Sequence, residues 1–119
     1  MADARRIVGA NGEAAVAQWY TDAGYEVVAR NWRVREGEID VIARRGATLV
    51  FCEVKTRRGT GYGLPAEAVT ARKQARLRTL ATRWLQAHDA RADVVRFDVA
   101  SVVPDGRSSW AVDVLEAAF

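Results

Sequence analysis

The segment Thr48 to Thr56, TLVFCEVKT, sets Leu49, Val50, Phe51 and Cys52 at consecutive positions and Val54 two further on. Successive side chains of a strand point to opposite faces, so a run that is apolar at odd and even positions alike must be covered on both sides of its sheet. A chain organised around this segment therefore needs a helix on each face. Two segments have the pattern to supply them. From Ile7 to Ala23, the residues Val8, Gly12, Ala15, Val16, Trp19 and Ala23 recur at helical spacing, and Gly24 reads as a C-terminal cap. Further on, Leu77, Leu80, Ala81, Trp84, Leu85 and His88 keep the same rhythm in a long helix nucleated near Pro65 and capped again at Thr70.

The remaining segments read as strands. Tyr25 to Val34 is rich in β-formers, Arg35-Glu36-Gly37 turns into a second strand from Glu38 to Arg44, and Arg45-Gly46 turns into the central one. Val94 to Val103 and Trp110 to Leu115 form a last pair across a Pro104-Asp105-Gly106-Arg107 turn. Arg57 to Pro65, RRGTGYGLP, is an irregular glycine-rich loop directly after the central strand, a place where loops often carry function. The order αβββαββ predicts a mixed α/β fold: three strands in an antiparallel meander, then a parallel crossover through the long helix. At 119 residues and 13.1 kDa the expectation is a single domain over 1–119.

Three charged side chains sit where such a core predicts none: Asp40 inside EIDVIA, and Glu53 and Lys55 inside the central strand. A buried carboxylate needs a hydrogen-bonded partner, a shifted pKa or a metal ion. Glu53 and Lys55 are two apart and share a strand face, and a hairpin about Arg45-Gly46 sets Asp40 opposite Val50 to Glu53. Asp40 and Glu53 could then converge on one hard divalent cation, Mg²⁺ or Mn²⁺, with Lys55 beside it to stabilise charge developing on a phosphoryl group. The competing reading is a buried salt bridge that only fixes the sheet register.

The net charge of +3 conceals a division. Lys55 to Arg96 holds ten basic and three acidic residues, leaving eight basic and twelve acidic elsewhere. That polarity points to a polyanion more than to a membrane, since no basic segment carries an aromatic insertion face. Sixteen of the eighteen basic residues are Arg; the two lysines are Lys55 and Lys73. Arg57 and Arg58 at the loop, with Lys73 and Arg76 at the start of the long helix, are the expected phosphate contacts. No secretory signal follows MADARR and Cys52 has no second cysteine to pair with, so a cytoplasmic protein is expected. Cys52 itself reads as a small buried hydrophobe, His88 lacks the companions of a zinc site, and only Trp32 among the tryptophans is placed to stack on a base.

Asp40 followed thirteen residues on by Glu53-Val54-Lys55, in an αβββαβ order, resembles the PD-(D/E)xK superfamily of restriction-endonuclease-like nucleases, with Ile39 standing where the motif has Pro. GEIDVIA, LVFCEVKTRR, YGLPAEAV and the terminal Phe119 together resemble the YraN-like family of bacterial proteins, which is similar to archaeal Holliday-junction resolvases. The resemblance implies a restriction-endonuclease-like core and nucleic-acid binding. It also implies that a glutamate of the first helix, here Glu13, joins the metal site; the other reading of Glu13 is an ordinary first-turn acid favouring the helix dipole. Glu38 reads as a further ligand or as a salt-bridge partner of Arg35 or Arg44.

The expected function is Mg²⁺-dependent endonucleolytic hydrolysis of DNA, on branched or otherwise structured duplexes. The alternatives are a non-catalytic nucleic-acid-binding module on the same fold and an accessory subunit whose site a partner completes. Symmetric cutting of two strands would call for a two-fold homodimer.

Overall fold

The computed structural model describes residues 4–56, 69–106 and 109–119, with side chains from residue 12 onward. Helix α1 (Ala4–Asp22) is followed by β1 (Glu26–Val34), β2 (Gly37–Arg45) and β3 (Thr48–Thr56), then by α2 (Ala71–Ala87), β4 (Val94–Pro104) and β5 (Trp110–Leu115). The strands form one sheet in the order β1-β2-β3-β4-β5, antiparallel except for the parallel β3–β4 pair. This is the expected mixed α/β architecture, compatible with a nuclease-like αβ core. The first helix begins at Ala4, earlier than the apolar rhythm indicated. The proposed start near Pro65 and the loop bearing Arg57 and Arg58 lie outside the described residues.

Local chemistry sets the helix ends. Gly24 takes φ +90°, which frees the Gly24 N–H to bond Thr21 O at 3.1 Å and the Tyr25 N–H to bond Tyr20 O at 2.9 Å. This paired closure satisfies the last carbonyls of α1 and turns the chain into β1. At α2 the Thr70 hydroxyl accepts from the Lys73 N–H, so the cap lies where the sequence put it.

Each helix covers one face. Leu77, Leu80, Ala81 and Trp84 of α2 pack on Ile39, Ile42, Leu49, Phe51, Phe97 and Val99, while Val16 and Tyr20 of α1 pack on Val41, Ala43, Val50, Cys52, Ala100 and Val102. The central strand is sealed from both sides, with Leu49 through Cys52 no more than 1% exposed. His88, at the end of the apolar line of α2, is exposed because the helix stops there, and its ring stacks on Trp84 at 4.4 Å. Trp32, half-buried, leans on the α2-side core. Phe119 closes the same core by stacking on Phe97 at 5.2 Å.

One fully buried charge has no counterpart in the sequence reading. Asp98, on β4 beneath α1, accepts from Tyr20 Oη at 2.6 Å, from Arg96 Nε and Nη2 at 2.9 Å each, and from the Ala117 N–H at 3.0 Å. A buried carboxylate is tolerated only when its oxygens are satisfied in this way. Burial, with Cys52 and Asp98 close by, holds the Tyr20 phenol far above its ordinary pKa, so it remains a donor. The network ties α1, β4 and the C-terminal segment together. Removing the carboxylate by Asp98→Ala strands Arg96 and Tyr20 and is expected to cost about 3–5 kcal/mol in urea unfolding, against about 1–2 kcal/mol for Tyr20→Phe. A loss below about 1 kcal/mol for Asp98→Ala would show that the network is not structural.

Candidate functional site

The site begins at a split in the sheet. The β2–β3 ladder runs from Arg45↔Thr48 to Val41↔Cys52. Continued by one step it would set Asp40 against Glu53. Instead the Asp40 carboxylate enters the gap and its Oδ2 accepts the Val54 N–H at 2.8 Å, in the manner of a main-chain acceptor. The side-chain alternation of β2 changes phase at the same place: Ile39 and Ile42, three apart, both face α2. Across the β1–β2 pair, Asn31 adopts φ +52°, a left-handed conformation that Asn accepts more readily than most residues. These irregularities aim polar side chains at a point from which a regular sheet would direct some of them away.

Three carboxylates meet there. Glu13 of α1, with Glu38 and Asp40 of β2, each offers an oxygen, and the three lie within 4.8 Å of one another. Glu13 stands in the middle of α1, so the first-turn reading fails. Its neighbour Gly12 lies close against the end of β3: a Cβ there would meet Thr56 Oγ1 at 2.5 Å, so a larger residue would have to displace that hydroxyl or move α1. Glu38 pairs with Arg33 at 2.6 Å, whereas Arg35 or Arg44 was expected; Arg44 reaches the carbonyl of Arg91 instead. Antiparallel pairing of Arg33 with Glu38 puts these two side by side, a register the sequence does not display.

Glu53 faces the same cavity but holds a different partner. Its Oε1 is 3.3 Å from Lys55 Nζ, with both side chains largely sheltered. A cavity of about 270 Å³ is lined by Glu38, Asp40, Glu53, Lys73 and Arg76, over a floor that includes Leu77 and Leu80. Asp40, Glu53, Lys73 and Arg76 are thus brought together, with Lys55 against Glu53 and Glu13 against Asp40. Arg57 and Arg58 lie outside the described residues.

Electrostatics follow from this crowding. Burial, then the Glu53 charge, pushes the Asp40 carboxyl up to about 8, against the pull of the Val54 N–H; Glu13 and Glu38 push the same way. Glu13 is also raised, chiefly by burial and by Glu38, against a hydrogen bond from Asn31 and the charges of Arg30 and Arg33. Packed carboxylates with raised pKa values mark a place where a cation would be favourable. The donors are all carboxylate oxygens, the set that hard divalent ions such as Mg²⁺ or Mn²⁺ prefer over zinc. Cys52 is fully buried on the α1 face and burial pushes its thiol well above the ordinary value, which suits a packed hydrophobe and not a nucleophile.

Two outcomes follow. The folded pKa of Asp40 lies above the unfolded value of about 3.9, so its contribution to stability is full below that pH and is lost as pH rises through 8. Metal-free Asp40→Asn should therefore gain on the wild type between pH 5 and 9, by on the order of a few kcal/mol in urea unfolding. A difference that does not change with pH would contradict the shifted carboxyl. Gly12→Ala should crowd α1 against the end of β3 and cost about 1–3 kcal/mol in urea unfolding, while an exposed change on the same helix such as Gln18→Ala costs less than about 0.5 kcal/mol.

Comparison with known proteins agrees with the resemblance carried by GEIDVIA and LVFCEVKTRR. Among the described residues no helix is long and apolar enough to cross a membrane. A UPF0102 protein of Nocardia farcinica is 50% identical over 115 residues, covering 97% of this chain and 91% of that one. One from a Parafrankia strain is 49% identical over 112 residues, covering 94% and 95%. One from Symbiobacterium thermophilum is 54% identical over 104 residues, covering 86% and 88%. The profile described as uncharacterised protein family UPF0102 matches residues 12–102, a span holding every acidic and basic group of the cavity, and the chain belongs to this YraN-like family.

Proposed function

We propose that this protein is a nucleic-acid-binding, Mg²⁺- or Mn²⁺-dependent endonuclease that hydrolyses phosphodiester bonds in DNA. The observation that carries the reading is the meeting, around one cavity, of the Glu13, Glu38 and Asp40 carboxylates with the Glu53–Lys55 pair. Hydrolysis of a phosphodiester needs a cation held by carboxylates and a fixed positive charge beside the phosphorus. When bound, a divalent ion supplies polarisation of the phosphoryl oxygen and a more acidic water. Asp40, Glu13 and Glu38 are the residues that would hold it, with Glu53 across the cavity.

The chain's own groups do the rest. Glu53 holds the Lys55 ammonium 3.3 Å away beside the cavity, where it would offset charge on a non-bridging oxygen as the P–O bond breaks. The Val54 N–H fixes the Asp40 carboxylate, so that little reorganisation is needed before a cation is met. Lys73 and Arg76 line the side from which a phosphate backbone would approach.

The test is incubation of the purified protein with junction, flap, duplex and single-stranded DNA in Mg²⁺ or Mn²⁺. Cleavage of at least one substrate is expected, with Asp40→Ala and Lys55→Ala each reducing the rate by about a hundredfold or more. Equal cleavage by Asp40→Ala would refute the assignment. Salt-dependent binding with no cleavage of any substrate would place the protein with the non-catalytic binding modules of the same fold.

A further inference from the structure

The sheet has two edges, and the chain treats them differently. A free edge offers unpaired N–H and C=O groups to any other strand, and natural sheets guard it with bulges, irregular backbone and charged side chains. β1 has all three: its register shifts between Val27 and Ala29, Asn31 takes φ +52°, and Arg30 and Arg33 stand exposed. β5 has almost none of this. Its pairing with β4 runs unbroken from Val99↔Leu115 to Pro104↔Trp110, and Asp113 is its one charged residue. Among the described residues no strand pairs on its outer side. Trp110, Val112 and Val114 are half-buried on the α1 face, whereas Ala111, Asp113 and Leu115 are exposed on the other. Between α1 and β5 lies a groove of about 380 Å³, with Ala15 and Trp19 on one wall and Trp110 and Val112 on the other.

We infer that β5 is the interface with a second copy of this chain, the two strands joining edge to edge as one antiparallel ladder about a two-fold axis. Symmetry leaves few registers. The axis stands perpendicular to the joined sheet, so each residue meets one of the same face and a single residue lies opposite its own copy. Centred on Asp113, the ladder would oppose two like charges and set Trp110 against Glu116. Centred on Ala111, it would pair little more than Trp110 to Val112. Centred on Val112, it spans Trp110 to Val114: Val112 meets its own copy and Trp110 meets Val114 on the α1 face, and Ala111 meets Asp113 on the other. Apolar pairs directly opposed stabilise a ladder and like charges weaken it, so the Val112 centre is the favoured one. The row Trp110, Val112, Val114 of the second copy then continues the apolar face beside the groove, and the outer N–H and C=O groups of both strands gain partners. This interface stands apart from the nuclease reading, because β4 separates β5 from β3 and no β5 residue lines the acidic cavity.

Sedimentation velocity of the full chain, from micromolar to millimolar concentration, should show a reversible dimer. Ala111 and Asp113 are both exposed, so charge can be exchanged there without disturbing the core. Ala111→Asp opposes aspartates at both symmetric places and should weaken dimerisation by about tenfold at low salt, while Ala111→Lys holds or tightens it. Ala111→Asp combined with Asp113→Lys restores opposite charges and should recover the wild-type constant. A monomer at every concentration overturns the inference and leaves the edge to a different chain. A dimer indifferent to Ala111→Asp, or weakened equally by Ala111→Asp and Ala111→Lys, overturns it too. Failure of the double variant to recover overturns the Val112-centred register, and the inference with it.

Discussion

A carboxylate placed where a main-chain carbonyl would normally accept governs this structure. Asp40 takes the Val54 N–H at the point where β2 and β3 part, so the sheet opens without leaving that half-buried donor unpaired. The opening leaves room beside Glu53, which with Lys55 continues the α2-facing row of Leu49 and Phe51. On the other side, Gly12 lets α1 come close enough for Glu13 to reach the same point. Groups from four elements converge because one side chain satisfies the split.

The arrangement is costly without a ligand. Like charges face one another at Glu13, Glu38 and Asp40, whose oxygens lie within 4.8 Å, and burial holds the Asp40 and Glu13 carboxyls above their ordinary values. Structural ion pairs elsewhere in the chain have the opposite character: Asp98 is met by Arg96, Tyr20 and a backbone N–H, and Glu36 pairs with Arg83 at 2.6 Å across the surface. Where charge serves the fold, it is neutralised within the fold; beside the cavity, Glu38 and Glu53 have cationic partners but Asp40 and Glu13 are packed against further carboxylates. Local conflict of this kind, in an otherwise self-consistent sequence, is characteristic of functional sites.

Much of this was legible in the chain. The two-sided apolar run of β3 required helices on both faces, the helical rhythm of Leu77 to Trp84 named the residues that cover one of them, and Thr70 and Gly24 marked helix ends. Asp40, Glu53 and Lys55 stood out as charges in apolar strands. Asp98 gives the same signal inside VVRFDVASVV, and was missed because its partners, Tyr20 and Ala117, are distant in sequence, leaving only Arg96 nearby to suggest a structural role. The Glu38–Arg33 pair and the mid-helix place of Glu13 depended on strand register and helix length, neither of which a period of two or 3.6 fixes to the residue.

By itself, then, the sequence determined the element order, the two covered faces and the identity of the charged strand residues, because periodicity and the cost of burying charge are local properties. The tertiary structure decided which charges meet. The phase change at Asp40 and Asn31, the close approach at Gly12 and the parallel β3–α2–β4 crossover join residues more than 60 positions apart, Glu13 and Arg76 among them, around one cavity. Each of these depends on how closely one element can approach another, a property of packed backbones that side-chain order along a single segment does not encode.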